Sequence, residues 1–273
     1  MTRRGPRIGA LAAFLATLSC TDLFGPDLPE GTVPLYPLPA EYAGWWSLVE
    51  RCSGHRGDLG SVEWLVLPDT RVIPDTGGAT GVYYQLEHAI VLGDLNARDG
   101  WLVRHEMLHA LLRGGGHRRV DFIDNCGGIV SCGTVCTDEA GSPLMPSAEM
   151  PPMDPSNAQI EVELVPAAVR LSSGTEGCVT LVVSVRNLED RPVRKYIGGS
   201  QSQGFFWIVD GVGGGGDTRG RRVNEIAFEA GGTRRHTFDC PQLIRNDLGP
   251  GDYAVRGEFH GVVSDATVLT VVP

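Results

Sequence analysis

Residues 101–112 of this chain read W-L-V-R-H-E-M-L-H-A-L-L, a run apolar enough to form a buried helix. His105 and His109 are four residues apart, so on such a helix they lie about 40° from each other around the axis. Two imidazoles on one face suit a tetrahedral metal ion, and two histidines with a glutamate in a buried helix require a partner. The run therefore predicts a zinc-binding helix in which Glu106 acts as general base on a zinc-activated water.

Two histidines leave a catalytic zinc ion short of a ligand, because such sites usually hold three protein ligands and keep the fourth position for water. Gly114, Gly115 and Gly116 end the predicted helix and allow the chain to turn back. We therefore predict His117 as the third ligand. Carboxylates that follow it are alternatives: Asp121, Asp124 and Glu139.

These positions resemble the zincin metallopeptidases, and within them the metzincin, matrixin-like branch. That branch follows HExxH with a glycine, a third histidine and a turn containing methionine. Here His105, Glu106 and His109 match the HExxH motif, and His117 and Met145 (in S-P-L-M-P) match the later positions. The second and third histidines are eight residues apart, against six in the family, which a two-residue insertion would explain. The resemblance covers about 100 residues and implies peptide-bond hydrolysis, with Met145 packed beneath the metal.

The first residues predict export. Arg3, Arg4 and Arg7 precede an apolar stretch at residues 8–18, and Leu-Ser-Cys ends at Cys20. Residues 1–19 therefore form a predicted signal peptide. Their end resembles a bacterial lipoprotein signal, which implies lipidation of Cys20; an ordinary cleaved signal is the alternative. Residues 20–40 are rich in Pro and Gly and predict a lipid-anchored tether, placing the protein at a membrane facing the periplasm or the cell exterior.

Six further cysteines in an exported chain are most simply three disulfides. A structural zinc site at Cys126, Cys132 and Cys136 is the rival interpretation, although no C-x-x-C spacing occurs. Cys178 and Cys240 are the pair that we expect to join, since both fall in the later part of the chain. The net charge of −10 and the absence of a basic stripe argue against a nucleic-acid partner.

The pattern of the chain predicts an α+β zincin-like domain at residues 41–148, with helices at 42–52 and 95–113 and strands at 62–67 and 83–92. Residues 89–92 are either an edge strand that pairs with substrate or an ordinary buried strand. Tyr83 and Tyr84 are expected to be core residues, with donation of a phenol to an oxyanion as the alternative. His55 and His88 are expected to be surface or strand residues and not ligands.

A Pro-rich linker is predicted at residues 149–156, followed by an all-β sandwich at 157–273. Runs of period two predict seven strands: 161–165, 179–185, 205–209, 225–228, 234–238, 253–259 and 266–272. The glycines at 213–216 are expected to form a flexible loop. Residues 179–187 with Pro192, and residues 248–253, are weakly similar to the immunoglobulin-like sandwich of the bacterial intracellular proteinase inhibitor, which implies a fold and not inhibition.

Together these features predict a zinc-dependent endopeptidase that acts outside the cytoplasm on a peptide or protein substrate. Its partners would be that substrate and, through the N-terminal lipid, a membrane. The rival from another class is a non-catalytic surface lipoprotein that keeps the zincin-like fold and binds a partner through its sandwich. A third possibility is a zinc ion that only braces the fold.

Overall fold

A computed structural model describes residues 28–130, 132, 141, 144–170, 178–197, 204–216, 224–241 and 248–273. The helices lie in the first half and the second half is built almost entirely of strands. The first half contains β1 (Val33–Pro34), α1 (Glu41–Ser53), β2 (Glu63–Leu67), β3 (Gly81–Tyr84), β4 (Ala89–Gly93) and α2 (Gly100–Leu112).

The four strands of the first half form one mixed sheet in the order β1-β2-β4-β3. Strands β2 and β4 are parallel, whereas β1 and β3 are antiparallel to their neighbours. Both helices pack on one face of this sheet, where Trp45 and Tyr42 of α1 meet Met107 and Leu108 of α2. The α+β organisation and the helix predicted at 42–52 are thereby confirmed.

The strand predicted at 83–92 is instead a hairpin, because His88 adopts a left-handed conformation (φ 52°) and reverses the chain between β3 and β4. Every residue of β4 is buried, and β4 lies between two other strands. It therefore cannot act as an edge, and the interpretation of 89–92 as an ordinary buried strand is the correct one. The edge strands of this sheet are the two-residue β1 and, next to β4, the longer β3.

Helix α2 begins five residues later than predicted. The Asp99 carboxylate accepts hydrogen bonds from the backbone N–H groups of Trp101 and Leu102, which caps the helix at Gly100. The preceding residues form a separate 3₁₀ turn, Asp94–Asn96. A side-chain cap thus fixes the start of the helix that carries His105 and His109.

The described residues of the second half contain all seven predicted strands and four more. They are β5 (Ala158–Val165), β6 (Ala168–Arg170), β7 (Thr180–Asn187), β8 (Val193–Ile197), β9 (Phe205–Val209), β10 (Gly213–Gly216), β11 (Asn224–Phe228), β12 (Thr233–Asp239), β13 (Gly251–Phe259), β14 (Val262–Val263) and β15 (Thr267–Val272). One sheet has the order β12-β7-β5, a second β10-β9-β13-β15-β6 with β14 beside β13, and β11 pairs with β8.

The first two of these sheets share apolar cores. Leu164 and Leu181 of one sheet pack with Trp207, Val255 and Leu269 of the other. The sheets therefore lie face to face.

Residues 213–216 are not the expected loop, because they pair with β9 as strand β10. A Cβ atom at Gly215 would lie 2.9 Å from the Trp207 ring, and one at Gly216 would lie 2.0 Å from the Phe206 ring. The glycines therefore allow this strand to approach the aromatic side chains of its neighbour.

The two halves are not joined by a free linker as predicted for 149–156. Met153 is buried in the second half, and its backbone N–H donates to the Arg194 carbonyl at 2.7 Å. Val165 and Val182 of the second half belong to the same core as α1 and α2. Apolar burial across this boundary makes the halves one packed body.

The prediction of a tether over 20–40 is wrong for its described part. Val33 and Pro34 pair with β2, and Leu35 and Leu38 pack against the core of the first half. Residues 1–27, including the signal peptide and Cys20, lie outside the described residues. Among the described helices, none is both long and apolar enough to span a bilayer.

Two disulfides are present in the described residues. Cys178 pairs with Cys240, as expected, and Cys52 pairs with Cys126. A disulfide-bonded Cys126 cannot be a zinc thiolate, so the cysteine zinc site is wrong. The remaining expected pair involves Cys132 and Cys136, of which Cys136 lies outside the described residues.

Candidate metal centre

The three predicted histidines converge on one point. The Nε2 atoms of His105, His109 and His117 are 3.1 Å apart in every pairing. Nitrogens about 2.0–2.1 Å from one tetrahedral zinc ion would be roughly 3.3 Å apart, so the observed triangle fits such an ion closely. The group could hold a metal ion, with His109 and His117 buried and His105 partly open to solvent.

The end of α2 explains how His117 reaches this point. Arg113, and not one of the three glycines, takes the left-handed conformation (φ 54°) that ends the helix. The Gly114 N–H then donates to the His109 carbonyl at 3.2 Å, which closes a Schellman motif. This reversal returns the chain toward the helix and brings His117 beside His109.

A second contact of the same loop orients His109. Its Nδ1 lies 2.8 Å from the Gly114 carbonyl oxygen, which can only accept a hydrogen bond. Nδ1 therefore carries the proton and Nε2 presents a lone pair to the other two rings. Burial lowers the pKa of His109 to about 3, aided by neighbouring His105 and His117 and opposed by the bond to Gly114. The ring is neutral at ordinary pH, as a metal ligand must be.

The alternative third ligands are engaged elsewhere. Asp121 is buried and accepts a hydrogen bond from Arg118 Nε at 2.6 Å, while Asp124 pairs with Arg119 at 3.3 Å. Glu139 lies outside the described residues. Among the described residues, His117 is the group that joins the two helical histidines.

The floor of the site is Phe122 and not Met145. Phe122 is fully buried in a π-helix, Val120–Asn125, and its ring centroid is 4.9–5.1 Å from those of the three imidazoles. The Met145 side chain is 68% exposed, so it does not pack beneath the histidines as predicted. The Cys52–Cys126 disulfide ties the end of this π-helix to α1, which fixes the floor.

Glu106 is only 4% exposed and lies against the first residue of β3. A Cβ atom at Gly81 would lie 2.9 Å from Leu92 Cδ2, 3.1 Å from Glu106 Cγ and 3.3 Å from Glu106 Oε1, so a larger residue there would press on both side chains. The backbone N–H of Tyr83 donates to it. Burial raises the pKa of Glu106 to about 8, although the Tyr83 hydrogen bond acts to lower it. Such a group can both accept and return a proton near neutral pH.

Helix α2 is anchored to the second half through Arg104, which adjoins His105 in sequence and has no exposed surface. Its guanidinium donates to both carboxylate oxygens of Asp239, at 2.8 and 3.2 Å, to Thr237 Oγ1 and to the Ile129 carbonyl. The network continues because Thr180 donates to Asp239 and accepts from the Trp45 indole. The strand half therefore holds the helix that carries His105 and His109 in place.

The remaining histidines of the first half lie outside the triad, as expected. His88 contacts the Tyr83 phenol through Nδ1 at 2.8 Å and Ser61 Oγ through Nε2 at 3.3 Å. His55 lies 3.9 Å from the Asp121 carboxylate. Sequence reasoning missed Phe122 and Gly81, since neither belongs to a motif and Gly81 is one of 37 glycines.

Comparisons with known proteins name no family for this chain. No protein-family model matches it, and no curated protein matches it. An alkylpurine DNA glycosylase AlkC of Pseudomonas fluorescens, solved with DNA containing an abasic-site analogue, aligns at 13% identity and a TM-score of 0.28. This alignment spans 43% of this chain and 31% of the glycosylase.

A β-glucosidase of Listeria innocua, solved with glucose, aligns at 14% identity and a TM-score of 0.27. That alignment spans 42% of this chain and 16% of the glucosidase. The chain thus spans less than a third of either protein, and likenesses this slight carry no functional argument.

Proposed function

We propose that this protein is a zinc-dependent endopeptidase of the zincin type. The observation that carries the proposal is the triangle of Nε2 atoms from His105, His109 and His117, with the buried Glu106 on the same helix. Three imidazoles make a donor set that zinc prefers, and they leave a fourth position for water or substrate. A zinc ion bound there would supply Lewis acidity, which lowers the pKa of water and polarises a carbonyl.

Glu106 has the properties of the proton carrier in this reaction. Its carboxylate would accept a proton from the attacking water and deliver it to the amine that leaves. The Tyr83 N–H and the space at Gly81 hold the carboxylate in one orientation, so the group needs no rearrangement between the two transfers. Phe122 closes the floor and excludes water from below the histidines.

The open edge of β3 would bind the substrate backbone. The Gly93 N–H donates to the Thr80 carbonyl, so Thr80 turns its backbone groups toward β4. Alternate residues of an antiparallel strand turn their backbone groups to opposite sides, and the register pairs Gly81 with Leu92. The backbone groups of Gly81 and Tyr83 therefore point away from β4. One of these, the Tyr83 N–H, bonds Glu106 itself. An extended peptide that pairs with the others would lie beside the catalytic carboxylate, as in strand addition to a sheet.

A single substitution tests the proposal. The Glu106→Gln protein, loaded with zinc, should cleave a peptide library at least about 100-fold more slowly than the parent, because removal of a general base typically costs this much. The matched control is Glu63→Gln, which neutralises an exposed glutamate on β2 and should leave the rate unchanged. Cleavage by Glu106→Gln at the parent's rate, or a parent that cleaves nothing, would contradict the proposal.

We also propose that the protein is exported and anchored through Cys20, and that its second half is an immunoglobulin-like sandwich. The two disulfides support an oxidising compartment, because they persist outside the cytoplasm. The two face-to-face sheets support a sandwich. Incorporation of labelled fatty acid into the parent but not into Cys20→Ala would test the anchor.

A further inference from the structure

A cavity lies beside β3, on the face of the sheet that is turned away from the histidines. Tyr83 packs into the core beneath α2, whereas Val82 and Tyr84 belong to the opposite face. These two residues line a cavity of about 370 Å³ together with Pro29 and Pro74. Its walls are therefore largely apolar and belong partly to the open edge strand.

The charged groups that line this cavity are both acidic, and Thr76 adds a neutral hydroxyl. Glu30 and Asp75 line it as exposed carboxylates, and no arginine, lysine or histidine does. Within the described part of the chain, neither carboxylate forms a salt bridge. Apolar walls with two unneutralised carboxylates are complementary to a long side chain that has an aliphatic stem and a positive end.

An additional polar group of the cavity is available to a ligand. Tyr84 is 4% exposed and lines the cavity, and its phenol forms no hydrogen bond with any described residue. The phenol oxygen is not among the buried polar atoms that lack a partner in the described residues, so it opens toward solvent and can accept a hydrogen bond there. A ligand with hydrogen-bond donors would satisfy the phenol oxygen and the two carboxylates together.

An extended peptide bound along β3 would contact both this cavity and the proposed catalytic centre. Side chains of an extended chain alternate between the two faces of a sheet. A peptide paired with β3 would present alternate side chains to the α2 face and to the cavity. The cavity can therefore bind side chains of the peptide that do not face the histidines.

We propose that this cavity is a specificity subsite for a lysine or arginine side chain of an extended peptide bound along β3. The proposal rests on the proposed function for the position of the peptide. It names the substrate class: peptides with a basic residue at one position, or at two positions separated by one residue. The stem packs on Val82 and Tyr84, and the positive end lies between Glu30 and Asp75.

The test measures binding and cleavage separately. Labelled ten-residue peptides that carry a single lysine, norleucine or glutamate at each position in turn are titrated against the full-length Glu106→Gln protein by fluorescence anisotropy. We expect the lysine peptide to bind at least about fivefold more tightly than the norleucine peptide, either at one position or at two positions separated by one residue. This preference should fall when salt is added. Cleavage rates of the parent should show the same preference.

The matched variants are Glu30→Gln with Asp75→Asn, added to the Glu106→Gln protein. Asparagine suits the left-handed conformation of Asp75 (φ 61°), so the fold should be kept. The lysine preference should fall below about twofold, while Glu63→Gln should retain it. Equal binding of lysine and norleucine, a preference that survives the double substitution, or no binding of any peptide would overturn the proposal. Charge-selective binding without cleavage by the parent would uphold the subsite and refute the peptidase.

Discussion

Replacing Asp239 by alanine should destabilise the whole protein, because it leaves a charge without a partner in the interface between the halves. The Arg104 side chain has no exposed surface, and Asp239 provides both carboxylate oxygens to it. Removing one partner of a buried ion pair typically costs about 3–5 kcal/mol, because the remaining charge stays desolvated. Thr180 also loses the acceptor of its hydroxyl hydrogen bond.

The free energy of unfolding can be measured by urea titration with tryptophan fluorescence, since the Trp45 indole belongs to this network. A loss of about 3–5 kcal/mol corresponds to a fall in Tm of roughly 5–15 °C for a chain of this size. The matched control is Asp210→Ala, which breaks the exposed pair with Arg256 and should cost less than about 1 kcal/mol.

The double variant Arg104→Met with Asp239→Ala separates the ion pair from the packing around it. It removes both charges, so its loss should be smaller than the sum of the two single losses by about 1–3 kcal/mol. A loss below about 1 kcal/mol for Asp239→Ala, or additive single losses, would refute the reasoning that this pair holds the halves together.

Three further results are expected. Burial raises the pKa of Glu106 from 4.5 to about 8, so the chelator-stripped protein should lose stability as the pH rises through this range and the buried carboxyl group becomes charged. The Glu106→Gln substitution removes this charge, so it should raise Tm near about pH 8 and leave Tm unchanged near about pH 4. A higher Tm at both values would contradict this cause. Gly81→Ala should slow cleavage about 10–100-fold by displacing the Glu106 carboxylate, while Gly249→Ala, whose Cβ meets nothing within 4 Å, serves as control. Phe122→Ala should weaken zinc binding measured by chelator competition, whereas Met145→Ala should not; equal effects would restore a structural role for Met145.

The local features of the site could be predicted from the sequence, because they depend on short-range geometry. Helical spacing places His105 and His109 on one face, and the glycine run indicates a reversal before His117. The seven strands of the second half follow from alternation of apolar and polar residues. The residue that makes the reversal, Arg113, could not be predicted, since its left-handed conformation has no sequence signal outside glycine and asparagine.

Features that depend on distant partners could not be predicted. Arg104 stands in an apolar run, and its burial is explained by partners far along the chain, chiefly Asp239, 135 residues later. Met145 matched a family position, but the residue that packs beneath the histidines is Phe122. Phe122 lies on the π-helix whose end is joined to α1 by the Cys52–Cys126 disulfide. Proline content alone suggested a linker at 149–156, whereas Met153 is buried against the strand half.

The most direct test of the central claim is the zinc content of the purified protein, measured by elemental analysis after zinc loading and removal of free metal. We expect about one zinc ion per chain in the parent and much less in a His109→Ala variant, because that substitution would leave two of the three imidazoles that could hold the ion. A parent that retains no zinc, or a variant that retains as much as the parent, would contradict it.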